Sequence, residues 1–289
     1  MRSRILALVC SIVLSASTLA AQPLICSPID GIEKVLNTPG VFIGDQHGSV
    51  ETPAFLGDLA CHVMATGRPV VIAMEYSAED QQVLDAFLKT SDEPAASRLL
   101  TGTPYWTTNR DGRASSAMRD ALLTIRRNAR AGGKVKLIAY DTKVDTWQQR
   151  DPASADLLIG RRNTDGAAAY WIVFGGNVHA RKTRGLTGPG VPPEYAQHEH
   201  LGYLLRDWHL VHLNAAYRGG ASWACTGAAP GNCSVHQHGQ GCSTDCPPHT
   251  LIRLTNSDPA YDGVYDVGKL TPSPPLYLSA NATAAHAPE

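Results

Sequence analysis

Neither sign of charge dominates this chain of 289 residues: 25 Lys and Arg stand against 26 Asp and Glu, a net charge of −1. Proteins that bind nucleic acid concentrate basic residues, so the balance argues against a polyanion partner. Long apolar runs are missing too. The stretch from Ile5 to Leu14 is too short to span a bilayer, and no stable membrane insertion is expected. The chain has no Gly-x-Ser-x-Gly elbow, no glycine-rich phosphate loop ending in Lys and no His-Glu-x-x-His helix, which counts against the enzyme classes built on them. Internal repeats and heptad runs are absent as well, leaving an ordinary globular chain.

What is present begins with a leader. Arg2 and Arg4 precede the apolar run, and the small residues Ser15 to Ala21 follow it, the order of a cleavable signal peptide cut after Ala20 or Ala21. Residues 1 to 21 are therefore expected to be removed, and the protein to be periplasmic or secreted. Val9 before Cys10 and Ile25 before Cys26 are not the small residues that lipid attachment requires. Cleavage takes Cys10 away and leaves Cys26, Cys61, Cys225, Cys233, Cys242 and Cys246, an even set in an oxidising compartment. The spacing predicts Cys26 with Cys61 and two bridges inside 225 to 246. Zinc held by Cys233, His236, His238, Cys242 and Cys246 is the competing reading, disfavoured by irregular spacing and compartment. Asn281-Ala282-Thr283 matches a glycosylation acceptor on a tail expected to be disordered from about 280.

The remaining length, 22 to 289, suits a single large domain. Val41 to Gly44, Pro69 to Met74, Val135 to Tyr140 and Tyr170 to Phe174 are continuous apolar runs that read as buried strands. Helical spacing lies between them, at Thr52 to Ala65, Ala78 to Leu88 and Ala114 to Ala131, the last stopped by Gly132-Gly133. Apolar strands alternating with helices predict an α/β fold, a mostly parallel central sheet with helices on both faces. Leu201 to Trp208 reads as a short helix. Leu210 to Tyr217, Leu251 to Leu254 and Leu276 to Leu278 read as C-terminal edge strands, and Ala224 to Pro248 as a cysteine-rich loop inserted among them.

In such sheets ligands bind beyond the carboxyl ends of the strands. There the chain places Asp45 and His47 after the first run, Glu75 after the second, Asp141 after the third, and Asn177 and His179 after the fourth. A carboxylate closing an otherwise apolar strand, as Glu75 does, needs a partner or a function. Asp45 and Asp141 taken singly also fit turn or cap roles. Two histidines at equivalent strand ends strengthen the reading of a functional rim.

These segments, Ile43-Gly44-Asp45-Gln46-His47-Gly48, Ala73-Met74-Glu75 and Gly176-Asn177-Val178-His179, resemble the superfamily of Tiki proteins, erythromycin esterases and ChaN-like proteins. That pattern is a strand followed by Gly-Glu-x-His, a Glu ending the next strand, an Arg, and a later Gly-x-x-His. The stretch from Gly263 to Pro275 is similar to the ends of bacterial members. Asp45 stands where the pattern has Glu, one methylene shorter, which points as well to a member whose site has decayed. Arg113 is the better match to the family arginine and Arg119 the second.

The resemblance implies a hydrolase of small-molecule or peptide substrates, acting on an ester, lactone or peptide bond. A histidine held by a carboxylate activates water near neutral pH. His47, oriented by Asp45 or Glu75, is the expected base and His179 the acid or a second electrophile, with Arg113 on the oxyanion or a substrate carboxylate and Asn177 as positioner. Two cofactors are alternatives: a divalent metal on two histidines and a carboxylate, which lowers the pKa of water, or haem in a non-catalytic uptake protein. Tyr76, Tyr105 and His198 are the candidate exposed haem ligands.

Overall fold

The computed structural model describes residues 23 to 278 except 189, 190, 192, 227 to 231, 241, 243 to 245, 248 and 256. The expected leader, the tail from 280 and the Asn281 acceptor lie outside the described residues. In chain order the elements are β1 (Ile29–Asp30), α1 (Glu33–Leu36), β2 (Gly40–Asp45), α2 (Glu51–Ala65), β3 (Val70–Ser77), α3 (Gln81–Lys89), α4 (Glu93–Thr101), α5 (Pro104–Thr108) and α6 (Ser116–Arg130). There follow β4 (Val135–Asp141), α7 (Arg150–Asp165), β5 (Tyr170–Gly176), α8 (Leu201–Leu204), β6 (Val211–Ala216), β7 (Ala221–Cys225), β8 (Cys233–Gln237), β9 (Thr250–Leu254) and β10 (Gly263–Asp266).

Eight strands form one sheet in the order β1-β9-β10-β6-β2-β5-β3-β4, parallel throughout except where β9 meets β10. The α/β class read from the sequence is thus the one observed. Alternate residues of the apolar strands feed two cores. Val41, Ile43, Ile72, Met74, Ile172 and Phe174 pack with Phe55, Leu59 and Leu122 of α2 and α6. Phe42, Val71, Ala73, Trp171 and Val173 point the other way, toward Leu158 of α7 and Leu201 of α8. Each such side chain fully withdrawn from water contributes on the order of 1.5–3 kcal/mol, which is why these strands must lie inside the sheet.

The helix over 114 to 131 is found as α6. The Ser115 side chain accepts from the Met118 amide, and the chain turns out at Gly132, whose φ of 114° favours glycine. Three late expectations need correction. Strands β6 and β9 are interior rather than edge strands, because the four-residue β10 pairs with both and the two-residue β1 closes the far side of β9. Residues 276 to 278 begin a helical turn instead of a strand, following Pro274 and Pro275, whose fixed φ suits a helix start. The cysteine-rich segment is no plain loop: β7 and β8 pair as an antiparallel hairpin with Cys225 opposite Cys233.

The disulfides join Cys26 to Cys61, as the spacing predicted, and Cys225 to Cys233 and Cys242 to Cys246, which settles the pairing left open for the two bridges expected inside 225 to 246 and uses up the cysteines of the competing zinc set. Among the described residues no helix is long and apolar enough to cross a membrane.

Candidate active site

Strands β2 and β5 are hydrogen-bonded neighbours running the same way, with Asp45 opposite Gly176, so the segments that follow them emerge together. Strand β3 lies on the other side of β5 and delivers Glu75 to the same place. His47, Glu75, Arg113, Asn177 and His179 all line one cavity of about 650 Å³, together with Asp111, Trp147, Arg150, Asp151, Tyr195 and His198. Asp45 lies beneath His47, 3% exposed.

Glu75 is the centre of the cluster. Its Oε1 accepts from Arg113 Nη1 and Arg150 Nη2, both at 2.6 Å, and its Oε2 accepts from the Gly176 amide at 2.7 Å. His47 Nε2 stands 3.6 Å from Oε2, and His179 Nε2 stands 3.8 Å from Oε1. Burial alone would raise the Glu75 pKa, but the Arg113 and His179 charges and His47 hold it well below the ordinary carboxylate range. The two glycines that end β5 make room for this packing. A Cβ on Gly176 would lie 3.0 Å from His47 Nε2, and one on Gly175 would run into the Tyr140 hydroxyl.

Each histidine has its own aspartate. Asp45 Oδ2 meets His47 Nδ1 at 2.6 Å, while its other oxygen accepts from the Thr52 hydroxyl. The shorter side chain therefore still reaches the imidazole, two residues on in the chain. Burial pulls the His47 pKa down, yet Asp45 and Glu75 outweigh it and raise the group to about 10. On the other side Asp151 Oδ1 meets His179 Nδ1 at 2.5 Å, and Asp151 Oδ2 meets His198 Nε2 at 2.9 Å. Burial opposes charge on Asp151 also, but His179 and His198 lower it to about 2. For His179, burial lowers and the Glu75 and Asp151 charges raise, with a net rise.

Two guanidiniums bind the acids together. Arg113 spans Glu75 and Asp111, with Nε at 2.8 Å and Nη2 at 2.6 Å from Asp111 Oδ2. Arg150 holds Asp141 through Nε and Nη2 and reaches His179 Nε2 with Nη1 at 3.4 Å. Of the two arginines weighed from sequence, Arg113 is in the cluster, whereas Arg119 pairs with Asp120 on the surface of α6. Asn177 lines the cavity, its amide donating to the Asp45 carbonyl and its carbonyl accepting from the Tyr261 hydroxyl.

Sequence reasoning missed Arg150 and Asp151. They begin α7, nine and ten residues after β4 ends at Asp141, and an Arg-Asp pair opening a helix reads as a cap. His198 was seen only as a haem candidate. It is buried, as is Tyr76, and the Tyr105 hydroxyl donates to the Glu75 carbonyl, so the three are not the exposed ligands expected. The metal reading of the rim fits poorly too, since both Glu75 oxygens are already engaged by two guanidiniums and an amide.

Solved proteins share this fold. It is similar to that of an erythromycin esterase. The EreC mutant in its open conformation superimposes with a TM-score of 0.58 at 11% identity, over 83% of this chain and 93% of its own. A succinoglycan biosynthesis protein gives 0.52 at 10% identity, over 84% and 91%. ChaN of Campylobacter jejuni, described with cofacial haem, gives 0.38 at 12% identity over 72% and 91%, a fit too loose to bear on ligands. No family profile matches the chain, and no curated protein does. The likenesses share a fold with the chain and assign it no activity.

Proposed function

We propose that the chain is an exported hydrolase in which water is activated by the Asp45–His47 pair and the leaving group is protonated by the Asp151–His179 pair. The observation that carries the reading is the symmetry around Glu75: two imidazoles, each held at Nδ1 by a buried aspartate, present Nε2 to one cavity from adjacent parallel strands. An aspartate at Nδ1 sets the tautomer and orientation of a catalytic imidazole. His47 Nε2 takes a proton from water as the oxygen adds to the carbonyl carbon. The C–O or C–N bond then breaks as His179 gives its proton to the departing atom, and solvent restores both rings. Arg150, with Nη1 beside His179, is better placed to meet the oxyanion than Arg113, which is committed to Glu75 and Asp111. Glu75 stays charged and positions both rings.

The cavity volume suits a small-molecule ester or lactone or a short peptide segment, and the fold shared with an erythromycin esterase supports the hydrolase class. The three disulfides fit a protein that matures outside the cytoplasm. A panel of ester, lactone and peptide substrates tests the reading. One class should be hydrolysed, and His47→Ala should lose on the order of 10²–10⁴-fold in rate with an unchanged circular dichroism spectrum. An equal rate in the variant would end the proposal.

A further inference from the structure

His200 is unexplained by the site above. It is fully buried, at 0% exposure, and neither ring nitrogen has a hydrogen-bond partner. The Gly185 backbone is close enough to favour charge on the ring but makes no hydrogen bond of normal geometry with it. A buried imidazole with both nitrogens unmet bears most of the cost of leaving water. Beside it stand Asp151 and His198. One donor atom from each of Asp151, His198 and His200 lies within 4.8 Å of the others.

The surroundings are those of a prepared site. Gly185 N donates to the His198 carbonyl at 2.8 Å and Arg184 pairs with Glu199, which fixes the backbone between the two histidines. Gly202 N donates to the His179 carbonyl at 2.8 Å on the far side of His200 in the chain. Trp147 and Tyr195 stack on one another at 4.1 Å, and their rings lie 4.8 and 5.9 Å from that of His198. An aromatic cover of this kind limits solvent around bound ligands. Arg181 works in the other direction, a positive charge near His200, and the Asp151 carboxylate offsets it.

We infer that Asp151, His198 and His200 bind a divalent transition metal of the zinc class at the wall of the cavity, next to the Glu75 cluster and sharing only Asp151 with the His179 pair. Two imidazoles and one carboxylate form a three-ligand zinc set that leaves a position free. With metal–ligand bonds of about 2.0–2.1 Å, tetrahedral donors stand about 3.4 Å apart, so atoms now within 4.8 Å of one another need to close in by at most about 1.4 Å. Asp151 Oδ1 keeps its contact with His179 while Oδ2 turns from His198 to the metal, so one carboxylate links the ion to the second imidazole of the cavity. The inference does not depend on hydrolysis.

The test is zinc titration of the full chain after chelator treatment and dialysis, followed by calorimetry and elemental analysis, with cobalt(II) as a spectroscopic substitute. One zinc per chain is expected, with visible cobalt bands of a low-coordinate nitrogen and oxygen site. His200→Leu replaces the unmet imidazole by a side chain suited to burial and should weaken zinc more than about 100-fold, beyond the 10- to 100-fold typical of losing an outer-shell partner. His198→Gln supplies the same test while keeping a hydrogen bond for Asp151. A wild-type chain that takes up no zinc overturns the inference. So does undiminished binding in folded His200→Leu or His198→Gln, or loss of zinc in His47→Ala with retention in His200→Leu.

Discussion

Burial by itself would protonate Glu75, yet two guanidiniums, two imidazoles and the Gly176 amide surround it, and the carboxylate keeps its charge. That charge has a consequence for His47. Caught between Asp45 and Glu75, the imidazole is raised to about 10, so near pH 7 it is mostly protonated and its reactive neutral form is the minority. If His47 is the base, kcat/KM should climb about tenfold per pH unit below the pKa, from pH 6 toward 9. Asp45→Asn removes the larger of the two raising charges and should move that limb to lower pH. A rate that is flat across the same interval and falls only above about pH 10 would assign His47 the acid role and exchange it with His179. The residues at strand ends were legible because a charged group ending an apolar run is anomalous. Arg150, Asp151, His198 and His200 were not, since they lie on a helix start and in an aperiodic segment where polar residues are ordinary.

At the scale of elements, the ends of β2, β3 and β5 work as one device, and Gly176 is the residue on which their spacing turns. A methyl group there would meet His47 Nε2 at 3.0 Å, His179 Cδ2 at 3.5 Å and Glu75 Oε2 at 3.6 Å. Gly176→Ala should therefore fold, because its contacts are side-chain ends at the edge of a cavity, but lose about tenfold or more in kcat/KM as the rings shift by a few tenths of an ångström. An unchanged kcat/KM would show that the imidazoles need no such precision. The same strands explain what the sequence could convey about fold. Continuous apolar runs can only be buried on both faces, which placed β2, β3 and β5 inside the sheet, whereas β4, with the same texture, forms its edge beside β3. Strand β6 mixes His212 and Asn214 with Leu213, so it reads as one-sided; its His212 is buried instead against the Ala180 carbonyl at 2.7 Å. Strand β10 is too short to leave a pattern, and without it the interior places of β6 and β9 are invisible.

For the molecule as a whole, two of the disulfides have separable duties. Cys26–Cys61 ties the N-terminal segment to α2 across 35 residues, and closing a loop of that size stabilises by roughly 3–4 kcal/mol. Cys225–Cys233 closes only eight residues, but Cys225 lines the cavity, and the Trp223 indole beside it donates to the Arg110 carbonyl at 2.7 Å. Replacing Cys26 and Cys61 by Ser should lower Tm and leave KM alone, whereas replacing Cys225 and Cys233 should raise KM with a smaller loss of Tm. Thermal melts and steady-state kinetics on the two double variants check this, and identical effects would refute the division. The hairpin also reaches back to the loop that carries His47, where the Trp223 amide donates to the Gly48 carbonyl at 2.9 Å, one residue beyond it. Opening the Cys225–Cys233 bridge would leave the hairpin held by its own ladder and by clasps such as this one, so one wall of the cavity would loosen while the eight-strand sheet stayed intact.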